Sequence, residues 1–228
     1  MVLNKGKMIY FDIMQRVTDL TVKPLLWNGI RRLKNNLLGA GKHDDKESMD
    51  YSMFSTDIEN YFNGDVRVVR YSELEHFNTL DDLLSKGGRC VINYEYQRNN
   101  GHWCCVFFSK PKGFKHKVVQ FLDSYGNLPK SMWRDQNKAE MKEINGNLNK
   151  LRDLMRDSGY DIYYNNYRLQ KLKDGISTCG RYCCLRMEYP DLTEEEFAYK
   201  IRHITDPSGK KKYLTPDQAV TLLTLDKF

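Results

Sequence analysis

The sequence predicts an α+β fold, a mixed central sheet of about five strands with helices on its faces. Three observations carry this prediction. Short runs rich in Val, Ile, Phe and Tyr, each bounded by Gly or Asn, fill the middle of the chain. Stretches with apolar residues at helical spacing dominate the last third. A length of 228 residues suits one domain with an appendage and can bury a real core.

The appendage comes first. Leu26, Ile30, Leu33 and Leu37 fall at helical spacing, with Trp27 beside them and Arg31, Arg32, Lys34, Asn35 and Asn36 between. Pro24 suits a first turn and Gly39 a stop. Residues 1–42 hold eight basic side chains against Asp12 and Asp19, while residues 43–228 are formally neutral. The whole excess of positive charge, +6, therefore lies in this basic amphipathic arm. It reads either as a helix docked on the body or as a contact for DNA, an anionic membrane surface or a capsid protein, through Arg31, Arg32 and Lys34. Residues 43–50 are small and polar and read as a linker, which leaves 51–228 as the body.

In the body, Ser55 can cap a helix whose apolar face is Ile58, Tyr61 and Phe62. Residues 65–71 alternate enough for a strand, and residues 74–84 suggest a loop followed by a short helix. Gly87-Gly88 is a turn before a strand over 89–96. Asn99-Asn100-Gly101 turns the chain again and puts His102 at the start of the next strand. A further strand covers 116–122. Residues 132–159 form a charged helical stretch whose apolar face is Leu148, Leu151, Leu154 and Met155. A strand over 162–167 leads to Gln170. Helices are expected over 179–187, 194–201 and 215–223.

Composition narrows the class. No run of about 18 apolar residues suggests a spanning helix, and no charged-then-apolar start suggests a secretory signal. The six cysteines include two adjacent pairs, Cys104-Cys105 and Cys183-Cys184, and read as reduced thiols of an intracellular protein. No Cys or His spacing suggests a metal site.

Four polar residues stand out by their order and context: His102, Asp123, Gln170 and Cys179. His102 lies in Gly101-His102-Trp103 before an apolar run. Asp123 closes such a run and opens Asp123-Ser124-Tyr125-Gly126. Cys179 opens Cys179-Gly180-Arg181-Tyr182-Cys183. Thiol hydrolysis needs these residue types. An ordinary thiol is only a few per cent thiolate at neutral pH. An imidazolium beside it stabilises the thiolate and later protonates the leaving group. A carboxylate on the other ring nitrogen fixes the tautomer. A side-chain amide and the Cys179 backbone N–H can hold an oxyanion. The start of a helix favours the thiolate further, and Gly180 would let a substrate approach the backbone. Glu95, shortly before His102, is the alternative orienting acid.

This ordered set resembles the adenain-like cysteine proteases, which belong to the clan of the SUMO-specific proteases. It is similar above all to the maturation proteases of double-stranded DNA viruses, virophages and Polinton-like elements. The resemblance covers residues 50–228. It implies a papain-like, adenain-like fold with the nucleophile at a helix N-terminus, His102 as base, Asp123 as its orienter, Cys179 as nucleophile and Gln170 in the oxyanion hole. Trp103 matches a position that packs beside the catalytic pair. The implied activity is cleavage of viral capsid or core precursors at Gly-containing sites, in the virion and in the host cytoplasm or virus factory. No cofactor is required; DNA or a peptide is the expected kind of activator. Leu37-Leu38-Gly39-Ala40-Gly41 fits the pattern such enzymes prefer, so cleavage between Ala40 and Gly41 would shed the arm, unless this is only a helix cap and linker. Two other functions fit the same residues: a deconjugase for ubiquitin-like modifiers, and a catalytically silent binding module.

Overall fold

The computed structural model describes residues 49–225 apart from 98–99, 130–131, 134–135, 207–208 and 210. The basic arm, with Arg31, Arg32, Lys34, Ala40 and Gly41, lies outside the described residues. The elements run α1 (Ser55–Tyr61), β1 (Arg67–Arg70), a 3-10 helix (Tyr71–His76), α2 (Leu80–Leu83), β2 (Arg89–Gln97), β3 (Asn100–Ser109) and β4 (Val118–Asp123). They continue with α3 (Lys138–Asn145), α4 (Lys150–Arg156), β5 (Ile162–Tyr164), α5 (Cys179–Glu188), α6 (Glu194–Arg202) and α7 (Pro216–Thr224).

The five strands lie in sequence order, β1 to β5. The two outer pairs, β1–β2 and β4–β5, are parallel, and the central pairs β2–β3 and β3–β4 are antiparallel. The fold is therefore α+β with a five-stranded mixed sheet. Every residue of β4 is buried, because helices cover both faces there. One face offers Ile92, Tyr94, Cys104, Val106 and Phe121 to a core with Leu80 of α2, Met141 of α3 and Leu154 of α4. The alternate residues meet α5. Arg186 lies over the Phe107 ring at 4.9 Å, and the Cys183 thiol hydrogen-bonds Cys105.

Several local expectations are corrected. Ser55 is not the cap of α1: Phe54 holds that position, and its N–H is satisfied by the Asp57 carboxylate at 2.8 Å. The loop expected from residue 74 is a 3-10 helix beginning at Tyr71. The single helical stretch over 132–159 is two helices, because Gly146 takes a positive φ of 73° and ends α3. The strand expected over 162–167 stops at Tyr164. Asn165 instead turns its side chain to the backbone of Asp123, donating to its carbonyl at 2.6 Å and accepting from its N–H at 2.9 Å.

A buried polar cluster ties α5 to the sheet and to the start of α6. Arg186 is fully buried. It donates to Glu194 at 3.3 Å, to the Tyr189 and Leu192 carbonyls at 2.7 and 2.8 Å, and to Gln120. Burial pushes the Glu194 carboxyl up to about 7, against the pull of Arg186.

Candidate active site

His102 begins the buried part of β3, and Asp123 ends β4. Cys104 faces Asp123 across the ladder, so His102 is two residues along the same strand face. The geometry is direct. His102 Nε2 lies 2.9 Å from Asp123 Oδ1, with both side chains buried. Asp123 Oδ1 also accepts the Tyr125 backbone N–H at 2.8 Å, and Oδ2 accepts the Tyr94 hydroxyl at 2.8 Å. The imidazole is held by rings as well, stacked on Tyr125 at 4.3 Å and edge-on to Tyr94 at 5.2 Å.

With Nε2 turned to Asp123, Nδ1 is the nitrogen left for the thiol. Cys179 is the first residue of α5, and its sulfur hydrogen-bonds the His102 ring. Burial alone would raise this thiol. The charge and hydrogen bond of His102, with backbone N–H groups of Trp103 and Gly180, outweigh burial and bring the thiol below its ordinary value. The imidazole responds in the opposite sense. Burial disfavours its charged form, but Asp123 and Cys179 raise it to about 10. The helix N-terminus adds to the stabilisation of the thiolate. Such a thiolate–imidazolium pair can attack an electrophilic carbon and return a proton to a leaving group.

Gln170 joins the same group through the end of β4. Its backbone N–H and that of Leu169 both donate to the Ser124 carbonyl at 2.9 Å. Its side-chain oxygen accepts the Ser124 hydroxyl at 2.7 Å. The amide nitrogen donates to the Ile176 carbonyl at 3.2 Å and to the Tyr125 hydroxyl at 3.3 Å. The second of these bonds is long, and an incoming oxyanion could take its place.

Trp103 points to the opposite sheet face and donates its indole N–H to the Met53 carbonyl at 3.0 Å. Gly180 has a second reason to be glycine. A Cβ at Gly180 would stand 3.0 Å from Met53 side-chain atoms and 3.3 Å from the Trp103 ring, so the chain's own packing also favours glycine there. Glu95 is not the orienting acid. It faces Gly101 across the ladder, while Asp123 holds the imidazole. Among the described residues, no group of three or more His, Cys, Asp or Glu is arranged to hold a metal ion.

Two cavities are lined by residues next to the pair, Gly101 and Trp103 in one and Tyr125 in the other. One of about 520 Å³ is lined by Met53, Phe54, Asn93, Gly101 and Trp103 among others. The second, of about 400 Å³, is lined by Tyr96, Tyr125, Met132, Arg168 and Leu172 among others. Phe54 and Leu172, at 67% and 68% exposure, are the two most exposed large apolar side chains described. Phe54 lines the first cavity and Leu172 the second, each an exposed apolar side chain at its cavity.

Tyr94, Asn165 and Asp217 escaped the sequence reading. A tyrosine in an apolar strand has the look of core, and only the register opposite His102 gives Tyr94 its place. Tyr94→Phe is expected to lower stability by about 1–3 kcal/mol, because a buried carboxylate oxygen loses its donor. Urea denaturation of both proteins measures this, and an unchanged midpoint would refute it.

The chain is 31% identical over 169 residues to the uncharacterized protein V9 of the Sputnik virophage. The match covers 74% of this chain and 91% of V9. The chain belongs to the V9 family. This kinship supports a viral, virophage-type origin. No protein-family model matches the chain. No helix among the described residues is long and apolar enough to cross a membrane.

Proposed function

We propose that this V9-family chain is an adenain-like, papain-type cysteine endopeptidase that cleaves capsid or core precursor proteins during virion maturation. The observation that carries the proposal is the buried series Cys179–His102–Asp123, with the thiol lowered and the imidazole raised by their mutual contact. Nothing in core packing calls for a polar series of this kind at the meeting point of a strand start, a strand end and a helix start.

The Cys179 thiolate attacks the peptide carbonyl, and the C=O electron pair moves onto oxygen. Gln170 and the Cys179 N–H hold that oxyanion. The imidazolium of His102 gives its proton to the departing amine, and a thioester remains on Cys179. Water, deprotonated by the now neutral His102, then attacks the thioester and releases the acid and the thiol. Asp123 keeps the ring oriented through both steps. The reaction needs no metal or organic cofactor. DNA or a peptide is the proposed activator, with the basic arm as its contact, and the sites of action are the virion and the host cytoplasm or virus factory. Glycine before the scissile bond suits a narrow groove, because it brings no side chain into the walls.

A cleavage assay tests this. Wild type and Cys179→Ala are incubated with peptides carrying Gly at the two positions before the bond, with a panel of ubiquitin-like fusions, and with and without DNA. Cleavage of the peptides by wild type alone is expected. Cleavage confined to the modifier fusions would transfer the chain to the deconjugases. A folded wild type with a reactive Cys179 that cleaves neither would overturn the proposal.

A further inference from the structure

Asp217 lies on α7, far in sequence from the residues discussed so far, and its side chain is buried. Both of its oxygens accept hydrogen bonds. Oδ1 accepts the Thr178 hydroxyl at 2.7 Å and the Tyr182 hydroxyl at 3.3 Å. Oδ2 accepts the Lys171 backbone N–H at 3.0 Å. One carboxylate thus grips the residue before Cys179, the residue after Gln170 and the nucleophile helix itself.

The behaviour of Thr178 adds a separate indication. It is the N-cap residue of α5, where a threonine hydroxyl would ordinarily accept a first-turn N–H. Here the hydroxyl makes no capping bond and donates to Asp217 instead. The side chain best placed to occupy the first-turn amides of α5 is drawn away from them. Those amides are the N–H groups of Gly180 and Arg181; the Cys179 N–H, the group that would meet an oxyanion, belongs to the Thr178–Cys179 peptide, whose Thr178 side the bond to Asp217 holds. Lys171, held by the same carboxylate, anchors the loop that carries Gln170.

We infer that Asp217 is a positioning residue for the oxyanion-binding groups, acting through Thr178 and Lys171. The inference rests on the proteolytic reading above. Asp217 touches neither His102 nor Cys179 among its hydrogen bonds, so its loss should spare the thiol and damage the step that develops charge on oxygen.

The full chain is compared with Asp217→Asn, Asp217→Ala and Tyr182→Phe by three readouts. They are kcat and KM on the best Gly-containing peptide, affinity for the matching peptide aldehyde, and the rate of Cys179 alkylation by iodoacetamide across pH. The aldehyde adds the thiol to give a hemithioacetal whose oxygen occupies the oxyanion position, whereas alkylation develops no oxyanion. Asp217→Asn keeps one acceptor oxygen where two are used. We expect kcat and aldehyde affinity to fall together by about 10- to 100-fold in both Asp217 variants. KM and the alkylation profile should stay close to wild type. Tyr182→Phe removes only the longest bond and should behave as wild type. Unchanged hydrolysis in the Asp217 variants overturns the inference. So does a parallel loss of alkylation and hydrolysis in Asp217→Asn, which would mean a merely structural role. Failure of the proteolytic reading is distinguishable: the wild type itself would then neither hydrolyse the peptide nor bind the aldehyde.

Discussion

His102→Ala is expected to remove hydrolysis by about 10⁴-fold or more and, in the same protein, to reverse the acidity of Cys179. The two effects share one cause. Burial is the largest influence on this thiol and acts upward; the imidazolium, by charge and hydrogen bond, is what brings it down. Without the ring, burial acts with less opposition, and the thiol moves above its ordinary range. Alkylation by iodoacetamide reads this directly. In wild type the rate should rise with pH through a transition below that of a free thiol, then change again near pH 10, where the imidazolium gives up its proton. In His102→Ala the first transition should move to higher pH and the second should vanish. Asp123→Asn leaves the ring in place but lets it turn, so hydrolysis should suffer more than alkylation. A wild-type thiol that titrates like free cysteine would sink the assignment of His102 as its partner.

The largest loss of stability is expected at Arg186, remote from the thiol. Arg186→Met keeps most of the side-chain volume beside Phe107 and Phe197 and deletes the charge. Glu194 is then left buried without its cation, and the Tyr189 and Leu192 carbonyls each lose one donor and keep another, the Leu192 N–H and the Gln120 amide respectively. Removing one partner of a buried pair costs about 3–5 kcal/mol. Denaturant melts should show a loss of this size, and adding Glu194→Leu should recover much of it. A change below about 1 kcal/mol would mean that the pair contributes little.

The pH dependence of that cluster has a definite sign. The Glu194 carboxyl titrates near 7 in the folded chain and near 4.5 when unfolded. Between these values the folded state binds more protons than the unfolded state, so this group's contribution to stability falls as pH rises through the window and is flat outside it. Glu194→Gln should remove the slope. An unchanged slope in that variant would assign the dependence to another group.

Much of the fold was legible because it is written in contiguous residues. The apolar runs of β2 and β3 follow from their Val, Ile, Phe and Tyr content between turn residues, and the start of α5 at Cys179 from the residues around it. His102 at a strand start and Asp123 at a strand end followed from the turn residues beside them. The shortfalls have the same logic. Ser55 reads as a cap because serine ordinarily suits that position, whereas the reach of Asp57 to the Phe54 N–H, one residue earlier, depends on the path of the chain before α1. The glycine that divides α3 from α4 stands in a charged stretch whose apolar spacing continues across it. The packing demand on Gly180 was not legible because Met53 and Trp103, which crowd it, are distant in sequence.

By itself the sequence determined the identity and order of the polar groups, the elements that carry them and the placing of all excess positive charge in residues 1–42. Only the tertiary structure decided which nitrogen of His102 faces Asp123, that Tyr94 holds the second carboxylate oxygen, and that Asp217 reaches back 39 residues to Thr178 and 46 to Lys171. The reason is physical. Local patterns record the preferences of a residue and its near neighbours, whereas strand register and the docking of α7 arise from the packing of whole surfaces. A hydrogen bond across such a contact exists only once those surfaces have met.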